Sequence, residues 1–251
     1  MQAGIVLEKI NHFFGEKQVL FNINLKIQPG IIYGFLGPSG CGKTTTVKIM
    51  AGILEASSGS VQVLGEAMPK LSLMKRLGYM AQSDALYANL SAEENLVFFS
   101  SLYGMKKEKS KEKIDEVMTL VNLTDHKTKL VSAYSGGMKR RLSLAMSLLH
   151  DPEILILDEP TVGIDPVLRK SIWDFLTSMT ERGMTIIVTT HVMDEAEKCS
   201  YLAMMRDGKL IAEGTPLDIR TGIGASTIEE AFIYYGTSGA VSRGNGDQNE
   251  S

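Results

Sequence analysis

The chain has 251 residues, 44% of them hydrophobic and 22% charged, a composition typical of an ordinary globular protein. Its formal net charge of −3 gives no support for general nucleic-acid binding, which normally shows a basic surplus. Cys41 and Cys199 lie far apart without metal-ligand spacing, so we expect a reducing compartment and no disulfide framework. The sequence shows no signal peptide and no apolar run long enough to span a bilayer, so we expect other chains to supply any membrane part.

The N-terminal part of the sequence predicts strands followed by a helix. Residues 5–35 read as short β segments broken by turns, and residues 31–36 form an apolar strand. A helix is expected from residue 42 to about residue 51, and residues 60–64 alternate like a strand.

Residues 85–150 have a helical character. Ser91 and Glu94 form a capping box ahead of an apolar run, which predicts the start of a helix. Further on, apolar residues recur at helical spacing and are expected to form the core of an inserted helical subdomain. These residues are Ile114, Val117, Met118 and Val121.

After residue 151 strands alternate with helices again, which predicts an α/β fold with a largely parallel sheet. Strands are expected at residues 154–157 and 185–189, and helices near residues 167–182 and 193–199. No internal repeat is evident, so the chain is interpreted as a single domain over residues 1–236. Its expected parts are a core (1–84 and 151–220), a helical subdomain (85–150) and a short helical segment (221–236), followed by a disordered tail (237–251).

The strand at residues 31–36 runs into a sequence that fits the phosphate-binding loop pattern G-x-x-x-x-G-K-[ST]. Its glycines allow backbone N–H groups to turn towards phosphate oxygens, and the following helix start adds partial positive charge. Lys43 is expected to reach the β- and γ-phosphates and Thr44 to ligate Mg²⁺. The predicted nucleotide-binding residues are Gly37, Pro38, Ser39, Gly40, Cys41, Gly42, Lys43, Thr44 and Thr45. Modification of the Cys41 thiol could block the nucleotide.

Two carboxylates follow the apolar strand at residues 154–157, which is expected to be buried on both faces. Asp158 is expected to hold Mg²⁺, directly or through water. Glu159 is expected to orient and deprotonate the attacking water as a general base.

The stretch Tyr134-Ser135-Gly136-Gly137-Met138 lies shortly before these carboxylates. Together with the phosphate-binding loop and the Asp-Glu pair, it resembles the ATP-binding cassette (ABC) ATPases over residues 5–220. The resemblance implies a P-loop NTPase (RecA-like) core with a largely parallel sheet, an N-terminal antiparallel β subdomain and an inserted α-helical subdomain. It also implies ATP and Mg²⁺ as cofactors.

Further roles are implied by this resemblance alone. Gln82 is similar to the glutamine that contacts Mg²⁺ and the attacking water, and His191 is similar to the histidine that contacts the γ-phosphate. Phe14 is similar to the aromatic residue that stacks on adenine, and Phe13 is the competing candidate. Stacking gives little base selectivity, so GTP could also serve.

The Ser135-Gly136-Gly137 signature implies a second ABC cassette as partner, because in the family it faces ATP held by another subunit. Asp165 matches the loop that crosses this dimer interface. A homodimer and a pair with a related cassette are both compatible with the sequence.

Met138 and the stretch Val162-Gly163-Ile164-Asp165 depart from the commonest pattern and resemble the ABC-2 type export ATPases. This implies an exporter motor on the cytoplasmic face of a membrane, bound to separate polytopic membrane subunits, with no nucleic-acid partner. Two alternatives stay open: a non-transport ABC ATPase, and a module that senses ATP without hydrolysing it.

Overall fold

A computed structural model of the chain describes residues 4–83, 85–238 and 242–243. The strands over these residues are β1 (Ile5–Phe14), β2 (Lys17–Ile27), β3 (Ile32–Leu36), β4 (Ser58–Val63), β5 (Glu66–Ala67), β6 (Leu77–Met80), β7 (Ile154–Asp158), β8 (Thr185–Thr190), β9 (Tyr201–Arg206), β10 (Lys209–Gly214) and β11 (Ser242–Arg243). The α-helices are α1 (Lys43–Met50), α2 (Ala92–Leu102), α3 (Lys107–Leu120), α4 (Gly136–Leu148), α5 (Pro166–Glu181), α6 (Met193–Ala196), α7 (Pro216–Thr221) and α8 (Ile228–Ser238). Within the described ranges, these helices are all too short or too polar to cross a bilayer.

The chain divides into two compact units. Unit 1 comprises Met1–Lys70 and Ile187–Ser251, and unit 2 comprises Leu71–Ile186. The fold is α/β with a mixed, mostly parallel sheet and an antiparallel N-terminal sheet, which confirms the predicted fold class. The predicted subdomain boundaries stay predictions. Of the tail predicted at residues 237–251, residues 237–238 end α8 and residues 242–243 form β11, while the rest lies outside the described residues.

Unit 1 contains the antiparallel N-terminal sheet, with strand order β2-β1-β4-β5. A second set of strands in this unit pairs β3 with β9 in parallel and β9 with β10 in antiparallel orientation. Helices α6, α7 and α8 contribute to an apolar core under these strands. The buried residues of this core are Leu36, Ala196, Leu202, Met204, Ala212, Ile219, Ile228, Ala231 and Tyr235.

Strand β3 is buried along its whole length, as its apolar sequence predicts. Gly34 in the centre of β3 allows the Cys199 side chain to pack directly against the strand, because a Cβ at this position would lie only 2.5 Å from the Cys199 sulfur. The tight packing fixes the strand that leads into the phosphate-binding loop.

Unit 2 contains the parallel pair β6–β7, in which Leu77 is opposite Ile154 and Met80 is opposite Leu157. Helix α4 approaches β6 closely, because a Cβ at Gly78 would lie 2.3 Å from the Ser147 carbonyl oxygen. The apolar residues predicted to form a helical core are buried, which confirms that prediction. They are Ile114, Val117, Met118 and Val121.

The capping box predicted at the start of α2 is present. The Ser91 Oγ accepts a hydrogen bond from the Glu94 N–H at 3.2 Å, and the Glu94 Oε2 accepts one from the Ser91 N–H at 2.7 Å. These bonds satisfy two backbone donors that the helix itself cannot pair. The bond from Ser91 to the Glu94 carboxylate lowers the pKa of that group.

The capping box gives a stability prediction. Ser91→Ala is expected to lower the free energy of unfolding by about 1 kcal/mol, because the Glu94 N–H loses its acceptor. Urea unfolding monitored by circular dichroism measures this change. Ser101→Ala in the same helix is the matched control, since its exposed hydroxyl bonds only to the Phe98 carbonyl within the helix. Equal effects of the two substitutions would contradict the assigned role of the cap.

Candidate functional site

The phosphate-binding loop of unit 1 connects the end of β3 to the start of α1. Gly40 and Gly42 have φ values of 79° and 108°, a region that residues with a Cβ rarely adopt. A Cβ at Gly42 would also lie 2.7 Å from the Leu20 side chain, and one at Gly37 would lie 2.3 Å from the Met205 carbonyl oxygen. The loop conformation therefore requires glycine at these positions.

Lys43, the first residue of α1, is buried, and its ammonium lies over this loop. Its Nζ donates hydrogen bonds to the carbonyls of Gly37 at 2.7 Å and Pro38 at 3.0 Å. Both of these acceptors are neutral carbonyl oxygens. A buried cation at a helix N-terminus favours an anionic ligand, so the loop fits a phosphate group.

The other loop residues have mixed exposure. Pro38, Ser39 and Gly40 are exposed, whereas Cys41 is buried. Thr44 and Thr45 are partly buried in the first turn of α1. The loop thus offers backbone groups to solvent while its thiol packs inward.

The carboxylates of unit 2 lie where the chain leaves β7. Asp158 is the last residue of this fully buried strand and is itself fully buried, while Glu159 is partly buried. Glu159 has a φ of 54°, an unfavourable region for a residue with a Cβ. On the neighbouring strand, burial and the negative charge of Asp158 raise the pKa of Tyr79 to about 12, so its hydroxyl stays neutral.

The signature residues open α4. Ser135 is the N-cap, and its Oγ accepts a hydrogen bond from the Met138 N–H at 3.2 Å. Gly136 has open space around the position of a Cβ, whereas a Cβ at Gly137 would lie 3.0 Å from the Gly163 carbonyl oxygen. Ser135 and Gly136 are exposed, so the helix start is accessible to an anion.

Asp165 has a local role that its sequence pattern did not predict. It is the N-cap of α5, and its Oδ1 accepts a hydrogen bond from the Leu168 N–H at 3.0 Å. Pro166 follows at the first helical position, where its fixed φ suits the helix. The signal was visible in the sequence as an Asp-Pro pair before an apolar helical pattern.

Gln82 follows β6 in unit 2, and its side chain is exposed. Its backbone carbonyl and that of Ala81 accept hydrogen bonds from the Arg140 Nη1, at 2.9 and 2.6 Å. Arg140 also donates to the carbonyls of Asp158 and Glu159. Sequence reasoning missed Arg140, although it lies four residues before Leu144 on the helix face that is buried.

His191 and the two aromatic candidates belong to unit 1. His191 is exposed and directly follows β8, whose last residue Thr190 donates a hydrogen bond to the Glu195 carboxylate at 2.6 Å. Phe14 is 55% exposed and Phe13 is 42% exposed, so exposure does not choose between them. The His12 ring packs edge-on against the Phe14 ring, with the two ring centroids 4.7 Å apart, and this contact restricts the orientation of the Phe14 side chain.

Unit 1 thus carries a loop with the backbone geometry and the buried lysine of P-loop nucleotide-binding proteins. Unit 2 carries two acidic residues at the end of a buried strand, the arrangement that accompanies such loops in ATPases. Among the described residues, no group of three or more His, Cys, Asp or Glu side chains forms a metal cluster. The fold and these residues define a P-loop ATPase.

The chain belongs to the ABC transporter family, whose sequence profile matches residues 20–162. Over 236 residues it is 42% identical to the probable multidrug ABC transporter ATP-binding protein YbhF of Escherichia coli, covering 91% of this chain and 41% of that protein. It is 39% identical over 232 residues to the Nod factor export ATP-binding protein I of Paraburkholderia xenovorans, covering 91% of this chain and 76% of that protein. The chain therefore spans less than half the length of the first relative.

A solved structure of an ATP-binding subunit of an ABC transporter has the same fold. It superposes with a TM-score of 0.86 at 22% sequence identity, covering 93% of this chain and 99% of that one. The chain therefore has the fold of that ATP-binding subunit.

The two thiols give a prediction about reactivity. Burial raises the pKa of Cys41, with partial compensation by the Lys43 ammonium, and burial with the Glu195 charge raises the pKa of Cys199 to about 12. Both thiols are therefore protonated at neutral pH, and the reactive thiolate becomes more abundant as pH rises. Maleimide labelling of the native protein is expected to be slow, to accelerate with pH and to be slowest at Cys199.

Labelling of the Cys41→Ser and Cys199→Ser variants separates the two thiols. ATP is expected to slow labelling of Cys41 and to leave Cys199 unchanged, because only Cys41 lies in the phosphate-binding loop. Rapid stoichiometric labelling of Cys199 in the folded protein would contradict the burial of that thiol.

Proposed function

We propose that this chain is the ATP-hydrolysing motor subunit of an ABC exporter and works as a pair of cassettes on separate membrane subunits. The observation that carries the proposal is the buried Lys43 ammonium at the start of α1, which donates hydrogen bonds to two carbonyls of the phosphate-binding loop. A triphosphate bound in this loop would bring negative charge to the buried cation. The names of the two relatives, one a probable multidrug transporter protein and the other a Nod factor export protein, support the export function.

In this proposal the loop residues bind the nucleotide. The backbone of residues 37–42 surrounds the phosphates, Lys43 binds the β- and γ-phosphates, and Phe14 stacks on the base. His191 contacts the γ-phosphate. Thr45 supports the loop from the first turn of α1.

The hydroxyl of Thr44, the amide oxygen of Gln82 and the carboxylate of Asp158 would hold Mg²⁺. Hard oxygen donors of this kind suit that ion, and the complete burial of the Asp158 side chain suits a carboxylate that binds a cation. When bound, Mg²⁺ offsets the charge on the β- and γ-phosphates. Gln82 also orients the attacking water, and Glu159 accepts its proton as the general base.

Ser135, Gly136 and Gly137 are proposed to contact the nucleotide of a second cassette, and Asp165 to lie at the interface with it. The exposed start of α4 supports this role, because its N–H groups are available to an anion. A second copy of this chain and a related cassette both fit this proposal.

The membrane subunits are proposed to contact the surface formed by Tyr87 and Phe98 in unit 2. The two rings pack edge-on at 5.0 Å and are 49% and 37% exposed. Exposed aromatic side chains are enriched at protein interfaces. Since this surface follows Gln82 closely in sequence, nucleotide-dependent movement there would reach the membrane partner. The chain would then lie on the cytoplasmic face of the membrane.

Glu159→Gln tests the proposed base. The variant is expected to bind ATP as wild type does and to lose at least about 10²-fold in kcat, because the amide cannot accept the proton of water. Phosphate release and nucleotide binding measure the two effects. Glu153→Gln is the matched control, since this exposed carboxylate pairs with Arg76 at 2.6 Å and has no proposed role in hydrolysis. Hydrolysis at the wild-type rate by Glu159→Gln would contradict the proposed role of Glu159 as the general base.

Affinity capture of the tagged chain from detergent-solubilised membranes of its native host tests the transporter function. We expect one polytopic membrane protein in stoichiometric yield, identified by mass spectrometry, and we expect Phe98→Ser to lose it. Leu71→Ser is the control, because Leu71 is an exposed apolar residue of unit 2 without a proposed interface. Recovery of soluble partners or ribosomes alone would exclude the exporter and favour another kind of ABC ATPase.

A further inference from the structure

Arg140 is a buried cation in the second turn of α4 that bonds to backbone carbonyls of two separate segments of unit 2. Its Nη1 donates to Ala81 at 2.6 Å and to Gln82 at 2.9 Å. Its Nη2 donates to Asp158 and, at 2.8 Å, to Glu159, whose carbonyl also accepts from Nε at 3.2 Å. We call these four acceptors the strand-end carbonyls.

The strand-end carbonyls lie at one edge of the parallel pair β6–β7. Met80, the last residue of β6, is opposite Leu157 in β7. Ala81 and Gln82 follow β6 directly, and Glu159 follows β7, so the sheet ladder does not hold these residues in place. Beyond the last strand pairs, the Arg140 guanidinium connects the segment after β6 to the end of β7 through its hydrogen bonds.

A guanidinium suits this task because its donors lie in one plane as a rigid fork. All three of its nitrogens are used in the bonds described above. A lysine would bring a single nitrogen on a flexible stem and could not reach carbonyls of both segments with the same geometry. The arrangement therefore depends on arginine and on more than its positive charge.

The backbone of Glu159 needs such support. Its φ of 54° is unfavourable for a residue with a Cβ and persists only where neighbouring contacts hold it. The carbonyl of this residue receives two bonds from Arg140. The direction in which the Glu159 side chain leaves the backbone therefore depends on the guanidinium.

We propose that Arg140 is a positioning residue for ATP hydrolysis, which holds the segments of Gln82 and Glu159 in fixed register with each other. The proposal rests on the function proposed above for those two side chains. Arg140 acts through the backbone, so it affects the orientation of the water and its base without taking part in nucleotide binding. The loop that binds phosphate belongs to unit 1 and includes none of the strand-end carbonyls.

The test compares Arg140→Met and Arg140→Lys with Arg141→Met. Arg141 is the matched control because it lies next in the same helix and also bonds to carbonyls outside the strand ends. These are the carbonyls of Val121 and Asn122, both at 3.0 Å, and that of Gly137 within the helix, at 3.4 Å. The steady-state kcat and KM for ATP are measured for each folded variant, and thermal unfolding records its stability.

Arg140→Met is expected to lose about 10²-fold in kcat, the effect of displacing a reacting group by about 1 Å. Its KM should stay within about threefold of wild type, since a positioning defect lowers kcat and leaves substrate binding intact. Arg140→Lys should fall between Arg140→Met and wild type. Arg141→Met should keep its kcat within about threefold of wild type, even if its melting temperature falls as far as that of Arg140→Met.

Equal losses of kcat in Arg140→Met and Arg141→Met, or a raised KM with unchanged kcat, would overturn the inference. If Arg140→Met does not fold, Arg140→Lys carries the test, and a wild-type kcat in that variant overturns it. Glu159→Gln in the same assay separates the two proposals. If Glu159→Gln is inactive while a folded Arg140→Met is fully active, only the role of Arg140 fails; if Glu159→Gln is active, the proposed hydrolysis mechanism fails first.

Discussion

Complete burial of β3 and β7 is the constraint on which the arrangement of polar residues in both units depends. A strand covered on both faces has little room for a charged side chain along its length, so polar chemistry is confined to the last residue of the strand and to the residues that follow it. In unit 1 these residues form the phosphate-binding loop, and in unit 2 they are Asp158 and Glu159. The apolar strands thus determine where the ionic groups can be.

At each strand end the backbone needs a different form of support. The loop after β3 uses glycines, which adopt a positive φ without a steric cost. Glu159 cannot be glycine if its carboxylate is needed, so its positive φ is supported from outside, by the guanidinium of Arg140. The function proposed for Glu159 therefore makes the structure depend on a second residue that lies elsewhere in the sequence.

Local patterns in the sequence were enough to predict the fold class, the capping box at Ser91 and the buried stripe of α3, because each depends on residues close in sequence. The predicted helix at residues 193–199 is shorter in the structure, since α6 ends at Ala196 and the chain tightens into an i→i+3 bond between the Cys199 N–H and the Ala196 carbonyl. The contacts of Arg140 could not be predicted, because they join residues far apart in sequence and a basic run usually indicates a solvated surface. The assigned roles of Gln82 and His191 stay predictions.

The close approach of Gly137 to the carbonyl of Gly163 has a consequence for how this surface can vary. With only 3.0 Å available to a Cβ, the start of α4 packs directly against the loop before α5, and a side chain at residue 137 would require that loop to shift by a few tenths of an ångström. Substitutions in the two segments should therefore be strongly non-additive, with a coupling energy that separate sites would lack. A cassette of this kind would acquire a new partner surface by paired changes rather than by single ones.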